Sequence, residues 1–515
     1  MATTSAARIV NDSPFCESRE EMKKLEDALI SDEAMNAPLH EIEKMLRAEG
    51  REVLRTMMQA HFDRRSEQER VIDVRDADGT TRERVRPGTR TVMTEFGEVQ
   101  LGRKLYQAPG TDGLAPLDAA MELPDEKYSY EVRRIVAEEA ARASFDEVVE
   151  LVRKRSGAEV PKRQAEELAI RAARDFDDFY RDRLRDPEAS DHLMILSFDG
   201  KGIATVHRDL RAATRKAAEA TPRRLQTRLT KGEKPNRKRM AEVATVYSIA
   251  KWPRTIGDVL HGVHDERGKT ERRPRPTNKR VWASVVHSPE RVIGDAFDEA
   301  FRRDPELRRH WVVLVDGNKD QIARIKRAAK GVGVEITIVL DIVHVLEYLW
   351  SAAYAFHADG STEAEHWVEC RLLALLNGRS GGEIAKSLRA MIKSHGLDAD
   401  DVEPVEDAAK YLVNNTQLLH YDRALAEGLP IATGVIEGAC RYLVKDRMGR
   451  TGAVWSVNGA EAVLRLRALR ASGDFDDYWA FHLAKEHDRT HRSRYAEREV
   501  PNPLPPARPK LRLVK

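Results

Sequence analysis

Three acids stand where an acid is costly to place: Asp199 follows the apolar run LMILSF, Asp316 follows WVVLV, and Asp341 follows EITIVL. A carboxylate beside buried strands is unfavourable unless it is paired or holds a cation, and neighbouring acid-tipped strands suit Mg²⁺ through oxygen ligands. Gly200 and Gly317 come directly after the first two acids and let a backbone or a phosphate approach closely. Asp-Gly after a strand is also an ordinary turn, and for either acid alone that is the simpler reading. Asp341 opens DIVHVLEYLW, so Asp341 and His344, at i and i+3, share one helical face. That pair reads either as auxiliary chemistry, with His344 against a phosphate, or as a helix cap beside a buried histidine. Asp341 rivals Asp316 as a ligand, and Asp316 is preferred because its strand is the fourth. Glu437 falls in the first turns of VIEGACRYLVKDRM, a helix that Thr433-Gly434 is placed to start.

The elements that must carry these groups follow from periodicity. Short β-rich runs at 193–198, 203–206, 242–249, 311–315 and 335–340 predict five strands, with an arginine-rich polar segment around 267–280 and helices near 289–301 and 320–330. Residues 362–428 predict a helical block. Upstream, 17–66 has helical spacing in a charged background, and TRTVMTEFGEVQLGRKLY reads as a β-hairpin about Gly97. SFDEVVELVRKRSG and PKRQAEELAIRAARDF then make a helical pair, with Pro161 suited to a first helical position. Lys162, Arg163 and Gln164 at the start of the second helix are of types that reach phosphates and base edges; any helical hairpin shows the same spacing.

At 515 residues, 41% hydrophobic and 33% charged, the chain predicts several folded units and excludes a collagen-like or low-complexity protein. No apolar run approaches a membrane span, and MATTSAARIVNDSP lacks a signal peptide's apolar core, so a cytoplasmic location is expected. Cys16, Cys370 and Cys440 are far apart and form no CxxC pair, which excludes a cysteine zinc site. The net charge of +2 hides a segment, 201–240, with thirteen Lys or Arg against three acids. That stretch suits a partner rich in phosphates or a solvated basic loop.

Phosphate loops, GxGxxG, GxSxG and HExxH are absent, which removes support for ATPase, Rossmann and zincin readings. HLAKEH at 482–487 has the wrong spacing for a metal motif and reads as surface. The order strand-Asp, strand, strand, helix, strand-Asp, helix, strand, helical block, Glu-helix matches an RNase H-like core. Such a core holds two metals that activate a water or 3′-hydroxyl for attack on phosphorus.

TEFGEVQLGRKLY, PLDAAMELPDEKYS, SFDGKG, LVDGNKDQ, DIVH and, above all, IATGVIEGACRYLVKDRMGRTGAVWSVNGAEAVLRLR resemble the mutator-like DDE transposases of bacterial insertion sequences, particularly the Kra-type group. The resemblance spreads over most of the chain. It implies a catalytic and metal-binding triad of Asp199, Asp316 and Glu437 with two Mg²⁺ or Mn²⁺ ions, and an auxiliary role for Asp341 and His344. Ala115 departs from the pattern, since similar sequences often carry a cysteine ahead of the PLD segment. Arg441, Lys445, Arg447 and Arg450 are placed to bind DNA backbone or balance the acids. Arg223, Arg224, Arg237, Lys238 and Arg239, with Lys162, Arg163 and Gln164, complete the DNA-binding expectation. Trp455 reads as a base-stacking residue or, more simply, a core indole.

The resulting expectation is a multidomain α+β protein. Its parts are a helical N-terminal region (1–85), a β-hairpin module (86–125), a helix-turn-helix-like DNA-binding region (126–190), an RNase H-like α/β catalytic core (191–361 and 429–484) with a helical insertion (362–428), and a disordered tail (485–515). The expected activity is metal-dependent cleavage and transfer of double-stranded DNA at element ends by a homo-oligomer associated with the nucleoid. A non-catalytic DNA-binding protein of the same fold, and a structure-selective nuclease or resolvase, remain alternatives.

Overall fold

A computed structural model describes residues 14–183, 191–220, 237–261, 273–450 and 452–506. The chain is mixed α and β and divides into two compact units, Met1–Arg181 with Phe475–Lys515, and Asp182–Asp474.

In the first unit, helices Cys16–Leu29 and Leu39–Gln68 pack together, and the antiparallel strands β1 (Arg84–Thr94) and β2 (Gly97–Gln107) form the hairpin. Gly97 has φ +129°, a conformation the tight hairpin turn requires and other side chains resist. Alternation along the hairpin sends Val92, Val99 and Leu101 to one face, where Phe62, Leu117 and Leu123 close a core over them. The helical pair is Phe145–Ser156, opened by a Ser144–Glu147 capping box and ended by left-handed Gly157, and Lys162–Ala172. Pro161 is the N-cap of the second helix, one residue before the first helical position.

The expected disordered tail needs correction for residues 485–506. Helix Phe475–Thr490 belongs to the first unit rather than to the second, where the expected catalytic core would have placed its first part, and His491 and Tyr495 beyond it are buried. Tyr495 bridges to Asp76, and Arg70 donates its main-chain N–H to Pro503 at 2.9 Å. The prolines that looked like disorder shape a strap whose polar backbone finds partners in the chain's beginning. Residues 507–515 lie outside the described residues.

The second unit holds a five-stranded sheet of β3 (Leu193–Ala204), β4 (Lys238–Ile249), β5 (Thr277–Ser284), β6 (Trp311–Val315) and β7 (Ile336–Leu340), in the order β5-β4-β3-β6-β7. β4 is antiparallel to both neighbours, while β3, β6 and β7 run parallel. Two strand expectations change. The runs 193–198 and 203–206 are one strand, because β4 pairs with it continuously from Leu193 to Ala204 across Asp199-Gly200. β5 replaces part of the arginine-rich segment: Arg280 is buried, with Nη1 2.7 Å from Glu299 Oε2 and its guanidinium over Trp282, so its charge is met inside the protein. One strand lost and one gained leave Asp316 after the fourth strand of the sheet.

After β7 come helix Ile342–Ala353 and a helical block of Thr362–Leu376, Gly381–His395, Ala399–Asn414 and Tyr421–Ala426. Helix Gly434–Ala439 then runs into a π-helical stretch, Cys440–Lys445, and on into Asp446–Met448. No helix among the described residues is long and apolar enough to cross a membrane.

Candidate active site

Strand register brings the acids together. β3 pairs with β6 only from Met194↔Trp311 to Ser197↔Leu314, and β6 pairs with β7 up to Val315↔Leu340. Continuing those parallel registers puts Asp199, Asp316 and Asp341 in one row across three strands, at the edge where β3 outruns its neighbour. The Glu437 helix reaches the same place. Asp199, Lys201, Asp316, Asp341, His344, Glu347, Thr433 and Glu437 line one cleft of about 120 Å³, open to solvent, together with the apolar Phe198, Leu314 and Val315.

The three residues expected to form the triad differ in how their oxygens are engaged. Asp199 Oδ1 accepts from the Gly200 N–H at 2.6 Å, while Oδ2 faces the Cys440 thiol at 3.0 Å and Lys201 Nζ at 3.2 Å. Asp316 Oδ1 accepts from the Asn318 N–H at 2.9 Å, and its other oxygen has no hydrogen-bond partner among the described residues. Glu437 is exposed, and its carboxylate has no such partner among them either.

Asp341 is in a different state. It is buried and caps its helix, accepting from the Val343 N–H at 2.9 Å, and its second oxygen takes the Thr433 hydroxyl. Both oxygens already accept a hydrogen bond within the protein, as both of Asp199 do, and the one from Val343 is the helix cap; Asp316, with one oxygen unpartnered among the described residues, is the freer ligand. Thr433 precedes the Glu437 helix, as its sequence predicts, yet its side chain serves Asp341 instead of that helix. His344 is half-exposed, with Nδ1 3.1 Å from Glu347 Oε2, so the alternative of a buried histidine does not hold.

Lys201 and Cys440 both stand against Asp199, contacts that the sequence reading missed. A residue two beyond Asp199 on a strand shares its face, and a residue three beyond Glu437 on a helix shares its side, so spacing alone held the signal. Burial works against the Lys201 charge, but attraction to Asp199 and the hydrogen bond to it prevail and raise its pKa. Burial pushes the Cys440 thiol up, and the Asp199 charge adds to the effect, so this cysteine is a neutral donor.

All-oxygen donors from Asp199, Asp316 and Glu437 fit a hard divalent cation in type. They border an open cleft. Among the described residues, the one group of three potential ligand atoms all within 4.8 Å of one another is Asp175, His482 and Glu486, in the first unit. That group has the ligand types for a metal, but its acceptors are already engaged: Arg133 Nη1 lies 2.6 Å from Glu486, and Arg174 and Arg489 also pair with the carboxylates. His482 is fully buried, with Nδ1 2.7 Å from Asp175 and Nε2 3.1 Å from the Arg133 guanidinium. The surface reading of HLAKEH is therefore wrong; a polar neighbourhood in sequence became a buried ion network in space.

The expected DNA contacts divide. Lys162, Arg163, Lys238, Arg441, Lys445 and Arg450 are exposed, and Gln164 and Arg237 are half-buried. Lys162 pairs with Asp146 at 2.7 Å and Arg163 with Glu167 at 3.1 Å, exposed pairs of small energy that phosphates can displace. Arg239 donates to the carbonyls of Val285 and Asp209, which fixes it to the protein. Arg447 is buried over the ring of buried Trp455, so it is a core residue and the core reading of Trp455 stands. Arg223 and Arg224, with Arg228, Lys231 and Lys234 of the same basic stretch, lie outside the described residues.

No protein-family model and no curated protein matches the chain.

Proposed function

We propose that this chain is a DDE-type DNA transposase of the mutator-like kind, cleaving and joining phosphodiester bonds at the ends of its own element. The observation that carries the reading is the convergence of Asp199, Asp316 and Glu437, from strand, strand end and helix, on one open cleft. The order β5-β4-β3-β6-β7 with β4 antiparallel supports an RNase H-like core, since the first and fourth strands in sequence lie side by side and carry the first two acids.

Asp199, Asp316 and Glu437 would hold Mg²⁺ or Mn²⁺, which supplies charge neutralisation at the phosphate and a more acidic attacking hydroxyl. The chain's own groups set the stage for that chemistry. Lys201 keeps an ammonium against Asp199 and offers positive charge at the cleft wall for a phosphate oxygen. His344, with Nδ1 turned to Glu347, keeps Nε2 for a second polar contact with substrate. The exposed start of helix Lys162–Ala172 offers Lys162 and Arg163 to a DNA backbone. Oligomerisation, nucleoid association and end recognition accompany the proposal as expectations of the resemblance.

The deciding experiment is Mg²⁺-dependent cleavage of the DNA flanking the coding region, wild type against Glu437→Gln. Cleavage at element ends that the variant abolishes supports the transposase. Cutting of branched DNA lacking terminal repeats would favour a resolvase, and end binding without cleavage would favour the non-catalytic protein.

A further inference from the structure

The helical block between β7 and the Glu437 helix reaches the ends of two of the three acid-bearing parallel strands, β6 and β7, each through a tyrosine. Tyr411 donates its hydroxyl to the main-chain carbonyl of Asp316 at 2.8 Å, and Tyr421, fully buried, donates to that of Leu340, the residue before Asp341, at 3.1 Å. Three residues on one face of the chain's turn out of helix Ala399–Asn414 act on the Asp316 turn together. Besides Tyr411, Asn414 Oδ1 accepts from Lys319 Nζ at 3.1 Å, and Asn415 packs over Gly317. Gly317 has φ +93°, and a Cβ there would come within 2.9 Å of Asn415 Nδ2 and 3.1 Å of the Tyr411 ring. The same Tyr411 ring stacks on Tyr348, centroids 4.0 Å apart, one helical turn beyond His344.

We propose that Tyr411 is a positioning residue for Asp316: its hydroxyl, with the fit of Asn415 against Gly317, fixes the main chain at the end of β6 and so sets where the Asp316 carboxylate stands in the cleft. The helical block is thereby part of the site's support, although it lines none of the cleft. A backbone carbonyl held from outside limits rotation of the turn, and a ligand acid held in place binds a cation better than one that must be ordered on binding. The inference rests on the reading of Asp316 as a metal ligand.

The test is Mn²⁺ binding to the full chain, read from the free-ion paramagnetic resonance signal, with thermal melting alongside. Tyr411→Phe keeps the ring and its stack and removes only the hydroxyl; Gly317→Ala disturbs the same turn from the other side. Each should weaken Mn²⁺ binding roughly 3- to 10-fold, the size expected for one lost hydrogen bond, with a melting midpoint close to wild type for Tyr411→Phe. Tyr354→Phe, away from the cleft, should bind as wild type does. Wild-type Mn²⁺ affinity in both Tyr411→Phe and Gly317→Ala, alongside loss in Asp316→Asn, would overturn the positioning role while leaving the metal reading intact. If Asp316→Asn itself binds Mn²⁺ as wild type does, the metal reading fails and this inference falls with it.

Discussion

The Cys440 thiol lies 3.0 Å from Asp199 Oδ2, joining the π-helical stretch that follows Glu437 to the middle of β3 across 241 residues of sequence. One acid of the proposed triad is thus tied through a neutral donor to the helical segment that follows another, and π-helical segments of this kind recur at functional sites. Because burial holds the thiol protonated, Cys440 should resist alkylation at pH 8 while exposed Cys370 reacts, as peptide mass spectrometry of the native protein would record. Cys440→Ser should retain most activity and Cys440→Ala lose more. Rapid alkylation of native Cys440 would show that the thiol is not so held.

Asp199→Asn, Asp316→Asn and Glu437→Gln should each reduce strand cleavage by at least about 100-fold and leave end binding within a few-fold of wild type. Gel-shift and cleavage assays on the same DNA separate the two effects. Asp341→Asn should instead lower stability, because Asp341 caps its helix and receives Thr433. A stable Asp341→Asn protein that is wholly inactive, beside an active Asp316→Asn, would reassign the second ligand.

Arg447→Ala should cost about 2–3 kcal/mol of stability by emptying a buried site over Trp455. Lys162→Ala with Arg163→Ala should leave stability nearly unchanged and weaken DNA binding, with a smaller dependence of affinity on salt. Denaturant unfolding and salt titrations of binding distinguish these classes. Equal effects of the two substitutions on stability would contradict the division.

Acid should destabilise the first unit below about pH 6.5. Burial lowers the pKa of His482, which donates to Asp175 and faces the Arg133 guanidinium, so the folded state keeps the ring neutral where the unfolded chain begins to protonate it. A depressed folded pKa gives stability that is complete above the unfolded value of 6.5 and is lost as pH falls through the folded one. The Asp175 carboxyl, also lowered in the fold, extends the loss below its ordinary value of 3.8. His482→Gln should be less stable at pH 7 and flatten the melting profile between pH 7 and 5; an unchanged profile would exclude His482 as its source.

Much of the second unit was legible in the chain itself. Continuous apolar runs such as WVVLV mark strands buried on both faces, an acid after such a run marks a place where burial ends, and helical periodicity marks the block between β7 and Glu437. These are local properties, and they led directly to Asp199, Asp316, Asp341, His344 and Glu437, all of which border the cleft. What failed was the judgement that charge means surface at three places, while Lys162, Arg163, Lys238, Arg441, Lys445 and Arg450 are exposed as expected. Arg280, Arg447 and His482 are buried because partners on other elements, from Trp455 eight residues after Arg447 to Asp175 307 residues before His482, meet their charge or polarity, and β5 and the strap near Tyr495 were missed for the same reason.

Sequence alone therefore determined most of the strands and helices and the order in which the acids follow them, because backbone propensity and apolar patterning act over a few residues. Only the tertiary structure decided which oxygens stay free. Asp341 spends both of its own on Val343 and Thr433, Asp199 meets Cys440 and Lys201, and Asp316 keeps one open under the hold of Tyr411. Those differences arise from strand register and from hydrogen bonds between groups up to 241 residues apart, whose geometry is set when the sheet closes and by no local pattern.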